Sequence, residues 1–475
     1  MKKVFLIVPP GVECDLPPLG LLYIASTIKS YCDVKVIDCG ILDIDFDKLK
    51  QIIRNKKPDL VGVIATSPRV YYALKTLNIV KDIDPNIKTV IGGPHASAVP
   101  DTIKVDYIDF LVRGEGEITM KELVINLDKP EKYGEINGLS FKDKNKVMQN
   151  PPRDLIKDLD SLPLPARDLV PINEYLGSIM PISLPEINMI ASRGCPFRCS
   201  YCFKGTFGIS SRFRDPIKVV DEIEYIVKKY GAKTINFFDD EFNTNKNFLN
   251  KFTDEIIKRG LNKIKYKAQF RANKQFIDLA LLKKLKKAGF YLICYGLESG
   301  NQNVLNTNRR QVTLEEMKRA VVLTHKAGIR ILGFFMMGLL GETIDSLEDT
   351  IRFAKSLPLD YAQVTIAMPY PGTEFYEIVK KNKWLDIDYQ NIDLKKAKHL
   401  NYRKAAWKRP HLPEKELKKK FRRFYLKFFF RPSYILKTFI RMFSSINDFR
   451  LTLKGVRWVF DALNLTTKLD KKSSD

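Results

Sequence analysis

The chain is poor in cysteine, with seven in 475 residues, and those seven are too few and too clustered for a disulfide framework. Reduced thiols of a cytoplasmic protein are the expectation. It also lacks any uncharged apolar run of about eighteen residues, which argues against a membrane-spanning helix. A cleavable leader is not expected either. The apolar run Val4–Val8 is short, ends at Pro9-Pro10 and is followed by no small-residue cleavage site, so it reads as a first core strand. Nor is the composition biased: 45% hydrophobic and 28% charged residues exclude a disordered or collagen-like chain. At roughly 150 residues per domain, the length suggests about three domains with sizeable cores.

Acidic residues are in deficit, 55 against 80 Lys and Arg, for a net charge of +25. The excess is uneven. Residues 401–475 hold 20 basic and 6 acidic residues, or +14, which leaves +11 for the first 400. Charge is therefore a property of the tail and does not mark the whole chain as nucleic-acid binding.

From Lys2 to about Asn126, short apolar runs (Val4–Val8, Val34–Ile37, Leu60–Ala65, Thr89–Ile91, Phe110–Val112) alternate with helical periodicity, as in Leu19–Ile28 and Tyr71–Val80. That alternation predicts a doubly wound parallel α/β sheet over 1–127. Ligands of such sheets lie beyond the carboxyl ends of the strands. The loops to read are thus Pro9–Leu16, Thr66–Arg69, Gly92–Ser97 and Arg113–Glu117. Residues 128–185 are rich in Pro, Asp and Lys, with a hairpin near Lys142–Lys146 and then Leu162-Pro-Leu-Pro-Ala-Arg-Asp-Leu-Val-Pro171. Closely spaced prolines demand an extended linker.

A second alternation follows from Glu186, with strands expected at Asn188–Ala191, Thr234–Phe238, Lys265–Phe270, Tyr291–Gly296, Ile329–Met336 and Tyr361–Ala367. The helix after the first has Asp215 as N-cap, Pro216 at its first position and Gly231 as its stop. Another opens on the capping box Thr313-Leu-Glu-Glu316. Six βα units over 186–384 spell a partial, open barrel, since a closed one needs eight. A basic helical region over 385–475 completes the chain.

Behind the first barrel strand stands Arg193-Gly-Cys195-Pro-Phe-Arg-Cys199-Ser-Tyr-Cys202. Three cysteines at C-x3-C-x2-C can hold one face of a cubane cluster and leave the fourth iron open to a ligand. A zinc site would want a fourth ligand and paired C-x2-C units; Cys294 serves only if the fold brings it near. Three unrelated thiols are the remaining alternative.

The cysteine loop resembles that of the radical S-adenosylmethionine superfamily. The resemblance implies a 4Fe-4S cluster on Cys195, Cys199 and Cys202, with S-adenosylmethionine on the open iron and reductive cleavage to a 5′-deoxyadenosyl radical. It implies oxygen sensitivity and a one-electron donor such as flavodoxin or ferredoxin. It places Tyr201 near the adenine. Asp240 and Glu241, in Phe237-Phe-Asp-Asp-Glu-Phe242, stand where the cofactor's amino group is received. Glu298 and Ser299, in Gly296-Leu-Glu-Ser-Gly300, stand where its ribose or amino end is met. Carboxylates at strand ends are also frequent helix caps.

The first half resembles cobalamin-binding domains fused to such barrels, the group that includes the anaerobic cyclase of chlorophyll synthesis. The matching segments are Pro17-Pro-Leu-Gly-Leu-Leu22, Gly92-Gly-Pro-His-Ala96, Arg113-Gly-Glu-Gly-Glu117 and Leu162–Pro171. It implies cobalamin near Gly11, Ser67, Gly92, Gly93, His95, Gly114, Glu115 and Gly116, where glycines let a flat macrocycle approach backbone. Gly114-Glu-Gly116 is no dinucleotide fingerprint, because the third glycine is absent. The Asp-x-His-x-x-Gly segment that ligates cobalt in methionine-synthase-like domains is missing. His95 thus reads either as a site residue or as a turn histidine bonded to its surroundings.

In the tail, Lys418–Arg431 interleaves cations with aromatics, breaks at Pro432 and continues toward Trp458. Three readings stand: a helical cap with a solvated charged side, attachment to an anionic membrane (the inner face) or lipid-like substrate, and RNA contact. Residues 468–475 are expected to be disordered. The functional expectation is methylation of an unactivated carbon of a small-molecule or lipid-like substrate, with methylcobalamin as donor. Radical oxidation, cyclisation or rearrangement with the same cofactors is the alternative, and a non-catalytic cobalamin or redox sensor a remote one.

Overall fold

A computed structural model describes residues 1–12, 15–144, 146–178, 183–386 and 407–443, together with 449, 453 and 455. The expectations for Trp458 and for 468–475 lie outside the described residues.

The first sheet contains β1 (Lys3–Val8), β2 (Asp33–Asp38), β3 (Leu60–Ile64), β4 (Lys88–Gly92), β5 (Phe110–Val112), β6 (Leu139–Asp143) and β7 (Lys146–Gln149), in the spatial order β2-β1-β3-β4-β5-β6-β7. The first five are parallel. They read as nearly continuous apolar runs because helices cover both faces, and Val4–Val8 is wholly buried. The strand order reverses between β1 and β3, which opens a crevice at their carboxyl ends. The hairpin expected near 142–146 forms, but β6 and β7 extend this sheet as antiparallel strands instead of standing apart in a linker. The rest of the connector is an ordered strap. Ala166, Val170, Ile172 and Tyr175 are buried, and Arg167 is locked to Glu222 at 2.8 Å with both side chains fully buried.

The second sheet is made of β8 (Glu186–Met189), β11 (Thr234–Phe237), β12 (Lys265–Phe270), β13 (Phe290–Glu298), β14 (Arg330–Met337) and β15 (Tyr361–Ile366), all parallel and in chain order. It is the open six-unit barrel that the βα alternation predicts. A small antiparallel pair, β9 (Ser192–Arg193) with β10 (Arg212–Phe213), interrupts it behind the first strand. The capped helices form as their sequences dictate. Asp215 accepts from the backbone N–H of Ile217 and Lys218, and Gly231 ends that helix in the left-handed region. Thr313 and Glu316 close a capping box.

The tail helix Glu414–Phe429 belongs to the barrel. Its Leu417, Phe424, Tyr425 and Phe428 are buried, Phe424 lies 5.2 Å from Phe335, and the Tyr425 hydroxyl accepts from the N–H of Val364 at 3.2 Å. Lys420 and Arg423 pair with Glu348 on a barrel helix. Of the three readings of this stretch, the helical cap is the one the packing realises. A second helix, Pro432–Met442, follows the proline break.

Candidate active site

Gly194 sets the geometry of the cysteine loop. Its φ of +85° is open to glycine, and a Cβ there would stand 2.2 Å from the carbonyl oxygen of Ser210. The β9–β10 pair holds both ends of the loop together. Asp239 and Asp240, at the carboxyl end of β11, brace it from below. Asp239 accepts from the Ser192 hydroxyl at 2.5 Å and from the Ala191 N–H, and Asp240 accepts from the Gly194 N–H at 2.9 Å. Burial lifts the Asp239 carboxyl to about 7.

The loop delivers Cys195, Cys199 and Cys202 to one cavity of about 340 Å³, over the carboxyl ends of the barrel strands. Cys195 and Cys199 are buried, while Cys202 opens to the cavity. Among the described residues no group of three or more His, Cys, Asp or Glu surrounds a single ion. In a cubane each thiolate takes its own iron, so three thiols spread along one loop are the donor set a cluster asks for. Cys294, the alternative ligand, is buried in the barrel core with Leu292 and Leu332 and does not line this cavity. A hydrogen bond from Cys202, and then the guanidiniums of Arg310 and Arg271, hold the Cys199 thiol below the usual thiol range, which favours the thiolate a metal needs.

Around the thiols, the cavity wall carries Tyr201, Glu241 and Glu298. Glu298 sits at φ +63°, where β13 slips register against β14, so the strained backbone turns its carboxyl inward. Burial raises it to about 7 and raises Glu241 as well. The buried Tyr201 hydroxyl has no hydrogen-bond partner among the described residues. An orphaned hydroxyl and two desolvated carboxylates facing three thiols form a pocket built for a polar, cationic ligand. Asp240 also lines the cavity, yet one of its oxygens is committed to the loop. Ser299 does not line it. Its hydroxyl contacts that of Thr350 at 3.2 Å, within the helix packing.

A second cavity of about 500 Å³ lies beyond the carboxyl ends of the first sheet, walled by the helix Leu19–Ile28 and by Gly92, Gly93, Gly114, Glu115 and Gly116. It runs inward to Gly62 and Leu6, a slot that a side chain at Gly62 would narrow. Gly93, at φ +96°, brings the β4 loop against the backbone of Ala65. Open backbone over a deep, mostly apolar slot suits a corrin ring and its appended arm.

Gly11, Ser67 and His95 do not line this cavity. Gly11 packs on the Tyr72 ring. His95 is fully buried between the Ser67 hydroxyl, 3.1 Å from Nδ1, and the Thr102 hydroxyl, 3.3 Å from Nε2. Burial pushes the ring down to about 4, so it is a neutral wedge inside the fold and lines neither cavity.

Glu115 faces across the molecule. Its carboxylate meets Arg193 at 2.8 Å and Arg212 at 3.0 Å, and Arg193 also meets Glu117 at 2.5 Å; Arg193, Glu115 and Glu117 are buried and Arg212 is half-buried. Sequence reasoning misses Arg193, Arg212, Arg271, Arg310 and Lys204. The clues available were position alone: Arg193 precedes the cysteine motif, and Arg271 follows β12 at its carboxyl end. The two cavities adjoin and share Phe203, Lys204, Phe238 and Asp240 as common wall.

Comparison with known proteins matches each half of the chain to a family model. The radical SAM superfamily model matches residues 189–354, and the B12 binding domain model matches residues 11–124. An uncharacterised methyltransferase of Pyrococcus horikoshii is 35% identical over 451 residues, covering 92% of this chain and 94% of its own. The anaerobic magnesium-protoporphyrin IX monomethyl ester cyclase of Rubrivivax gelatinosus is 33% identical over 387 residues, 79% of this chain and 69% of its own. Among solved structures, the radical S-adenosylmethionine methyltransferase TsrM of Kitasatospora setae, with tryptophan and a cofactor analogue bound, superposes with a TM-score of 0.68. It is 19% identical and covers 80% of this chain and 76% of its own. The cobalamin-dependent radical enzyme OxsB superposes with a TM-score of 0.72 at 17% identity, over 98% and 72% of the two chains.

Proposed function

Because this chain belongs to the cobalamin-binding radical S-adenosylmethionine enzymes, we propose that it methylates an unactivated carbon of a small-molecule substrate. Its cofactors are a 4Fe-4S cluster, S-adenosylmethionine and cobalamin. When bound, they supply a 5′-deoxyadenosyl radical on one side and a transferable methyl group on the other.

One observation carries the reading. The cavity lined by the three thiols and the cavity over the glycine loops share a wall of four residues, so one carbon can be presented to both. In this reading Cys195, Cys199 and Cys202 hold the cluster. Glu241 and Glu298 receive the cationic end of S-adenosylmethionine, and Tyr201 gives its orphaned hydroxyl and ring to the same ligand. Asp239 and Asp240 position the loop. Gly92, Gly93, Gly114 and Gly116 leave room for the corrin, while Glu115 holds its floor to the barrel through Arg193. Among the described residues no histidine lines the cavity over the glycine loops.

The cyclase relative supports a second reading, radical oxidation or cyclisation with the same cofactors. Product analysis decides. Under anaerobic turnover with methylcobalamin and candidate substrates, methylation yields S-adenosylhomocysteine and 5′-deoxyadenosine together with a methylated product. Altered substrate with 5′-deoxyadenosine but no S-adenosylhomocysteine would replace the methyltransferase reading by the other.

No helix among the described residues is long and apolar enough to cross a membrane. Peripheral contact is a separate matter. On the helix Pro432–Met442, Ile435, Leu436, Phe439 and Ile440 form one exposed stripe that Phe443 continues, in a segment of the chain rich in Lys and Arg. An exposed apolar stripe among cations suits an anionic lipid surface, and we assign this helix to such a surface.

A further inference from the structure

Two guanidiniums converge on one cysteine sulfur. Arg271, at the carboxyl end of β12, is 1% exposed, and its Nη1 lies 3.9 Å from Cys199 Sγ. Arg310, 4% exposed, reaches the same sulfur from another loop with Nη1 at 3.8 Å. Three further donors go to neutral groups, while the buried Arg310 Nε has no hydrogen-bond partner among the described residues. Arg271 Nε donates to the Asn273 side-chain oxygen at 2.6 Å, and its Nη2 donates to the Arg310 carbonyl. Arg310 Nη2 donates to the Gly296 carbonyl at 2.6 Å. The ring of Phe197, within the cysteine loop, lies 3.4 Å from the Arg271 guanidinium and fixes its plane.

Neither arginine forms an ion pair with a carboxylate among the described residues. Glu241 and Glu298 face the same cavity, but neither carboxylate lies within ion-pair distance of Arg271 or Arg310. Buried cations need an anion, and guanidinium does not deprotonate to escape the cost. The anionic acceptor within hydrogen-bond reach of both is the Cys199 sulfur. Added electron density on a cluster flows partly onto its thiolate sulfurs, and N–H donors and positive charge beside them stabilise the reduced form more than the oxidised one.

We propose that Arg271 and Arg310 raise the reduction potential of the cluster by donating N–H···S hydrogen bonds to Cys199, and so bring it within reach of a biological one-electron donor. This rests on the reading that Cys195, Cys199 and Cys202 hold the cluster. Both arginines are positioning residues for electron entry, acting through a metal ligand.

The test is an anaerobic potentiometric titration of the full-length, reconstituted protein, followed by electron paramagnetic resonance without S-adenosylmethionine, so that no bound cofactor contributes. Arg271→Gln and Arg310→Gln should each make reduction about tenfold less favourable, a shift of 59 mV to lower potential for one electron. The double variant should shift further. Arg310→Lys, which keeps the charge but loses the fork, should fall between Arg310→Gln and wild type. Unchanged potentials in variants with full iron content would overturn the proposal alone. Variants that lose iron in both the Gln and Lys forms would also overturn it, by making the arginines retainers of the cluster instead of its tuners. Wild-type protein that takes up no four-iron cluster would overturn the cysteine reading along with it.

Discussion

At the scale of single residues, the buried groups titrate in opposite senses. His95 is held near 4 against an ordinary 6.5, because burial disfavours its cation. Between those values the unfolded chain binds more protons than the folded one, so stability rises with pH there and is lost as pH falls through the window. The full contribution is about 3 kcal/mol. Asp239 works the other way. Lifted to about 7 from 3.8, it binds its proton more tightly in the fold, and its contribution falls as pH rises. His95→Gln is therefore expected to remove the acid-side loss of stability and leave the opposite slope. Denaturant midpoints across pH 4–6.5 check this, and a wild-type slope in the variant would contradict the buried neutral ring. His95 also marks where the sequence misleads. A histidine in a glycine loop at a strand's carboxyl end looks like a ligand, and only the positions of Ser67 and Thr102, 28 and 7 residues away, turn it inward.

At the scale of elements, the tail divides at Pro432. The helix Glu414–Phe429 covers β14 and β15, so truncation before Glu414 exposes Phe335 and strips Val364 of its Tyr425 contact. Losing three large buried aromatics is expected to cost several kcal/mol and to lower the unfolding temperature of the barrel. Truncation after Tyr434, which keeps that residue's hydrogen bond to the Asp360 carbonyl and its contacts with Phe428 and Phe429, removes the exposed stripe instead, and should leave the barrel's stability and iron content unchanged. The full chain should sediment with anionic vesicles and release at high salt, and the chain ending at Tyr434 should do neither. Equal sedimentation of both would move the contact elsewhere, and none by the full chain would remove it. The amphipathic pattern of Lys418–Arg431 is plain in the sequence. That its aromatics pack on the barrel is not, because an apolar face carries no address.

At the scale of the whole molecule, the buried Arg193, Glu115 and Glu117, with the half-buried Arg212, tie the two α/β halves together. Tyr23 of the first half and Phe207 of the second lie on the Arg193 guanidinium, each 5.2 Å away. Breaking a buried pair by removing one partner costs about 3–5 kcal/mol, since the other charge stays buried. Arg193→Gln is expected to split a single calorimetric unfolding transition into two, and one unshifted transition would show that the halves cohere without it. Much of the architecture is legible in the chain. Runs such as Leu60–Ile64 are uninterrupted because both faces are covered, and C-x3-C-x2-C is local chemistry. What stays illegible is contact at long range: Arg271 and Arg310 reach Cys199 from 72 and 111 residues away, and Arg193 finds Glu115 across 78. No local pattern encodes such pairings, and charged residues near strand ends are too common to single them out.

The short β9–β10 clasp has a thermodynamic meaning of its own. By pairing Arg193 with Arg212 and Ser192 with Phe213, it turns the cysteine segment into a ring closed by hydrogen bonds of the protein itself. The entropy of closing that ring is met during folding. Binding free energy from iron and sulfide need not be spent on gathering the chain, in contrast to small domains that are unfolded without their metal. Folding and cofactor assembly are thereby expected to be separate events, with the loop already shaped when iron and sulfide arrive.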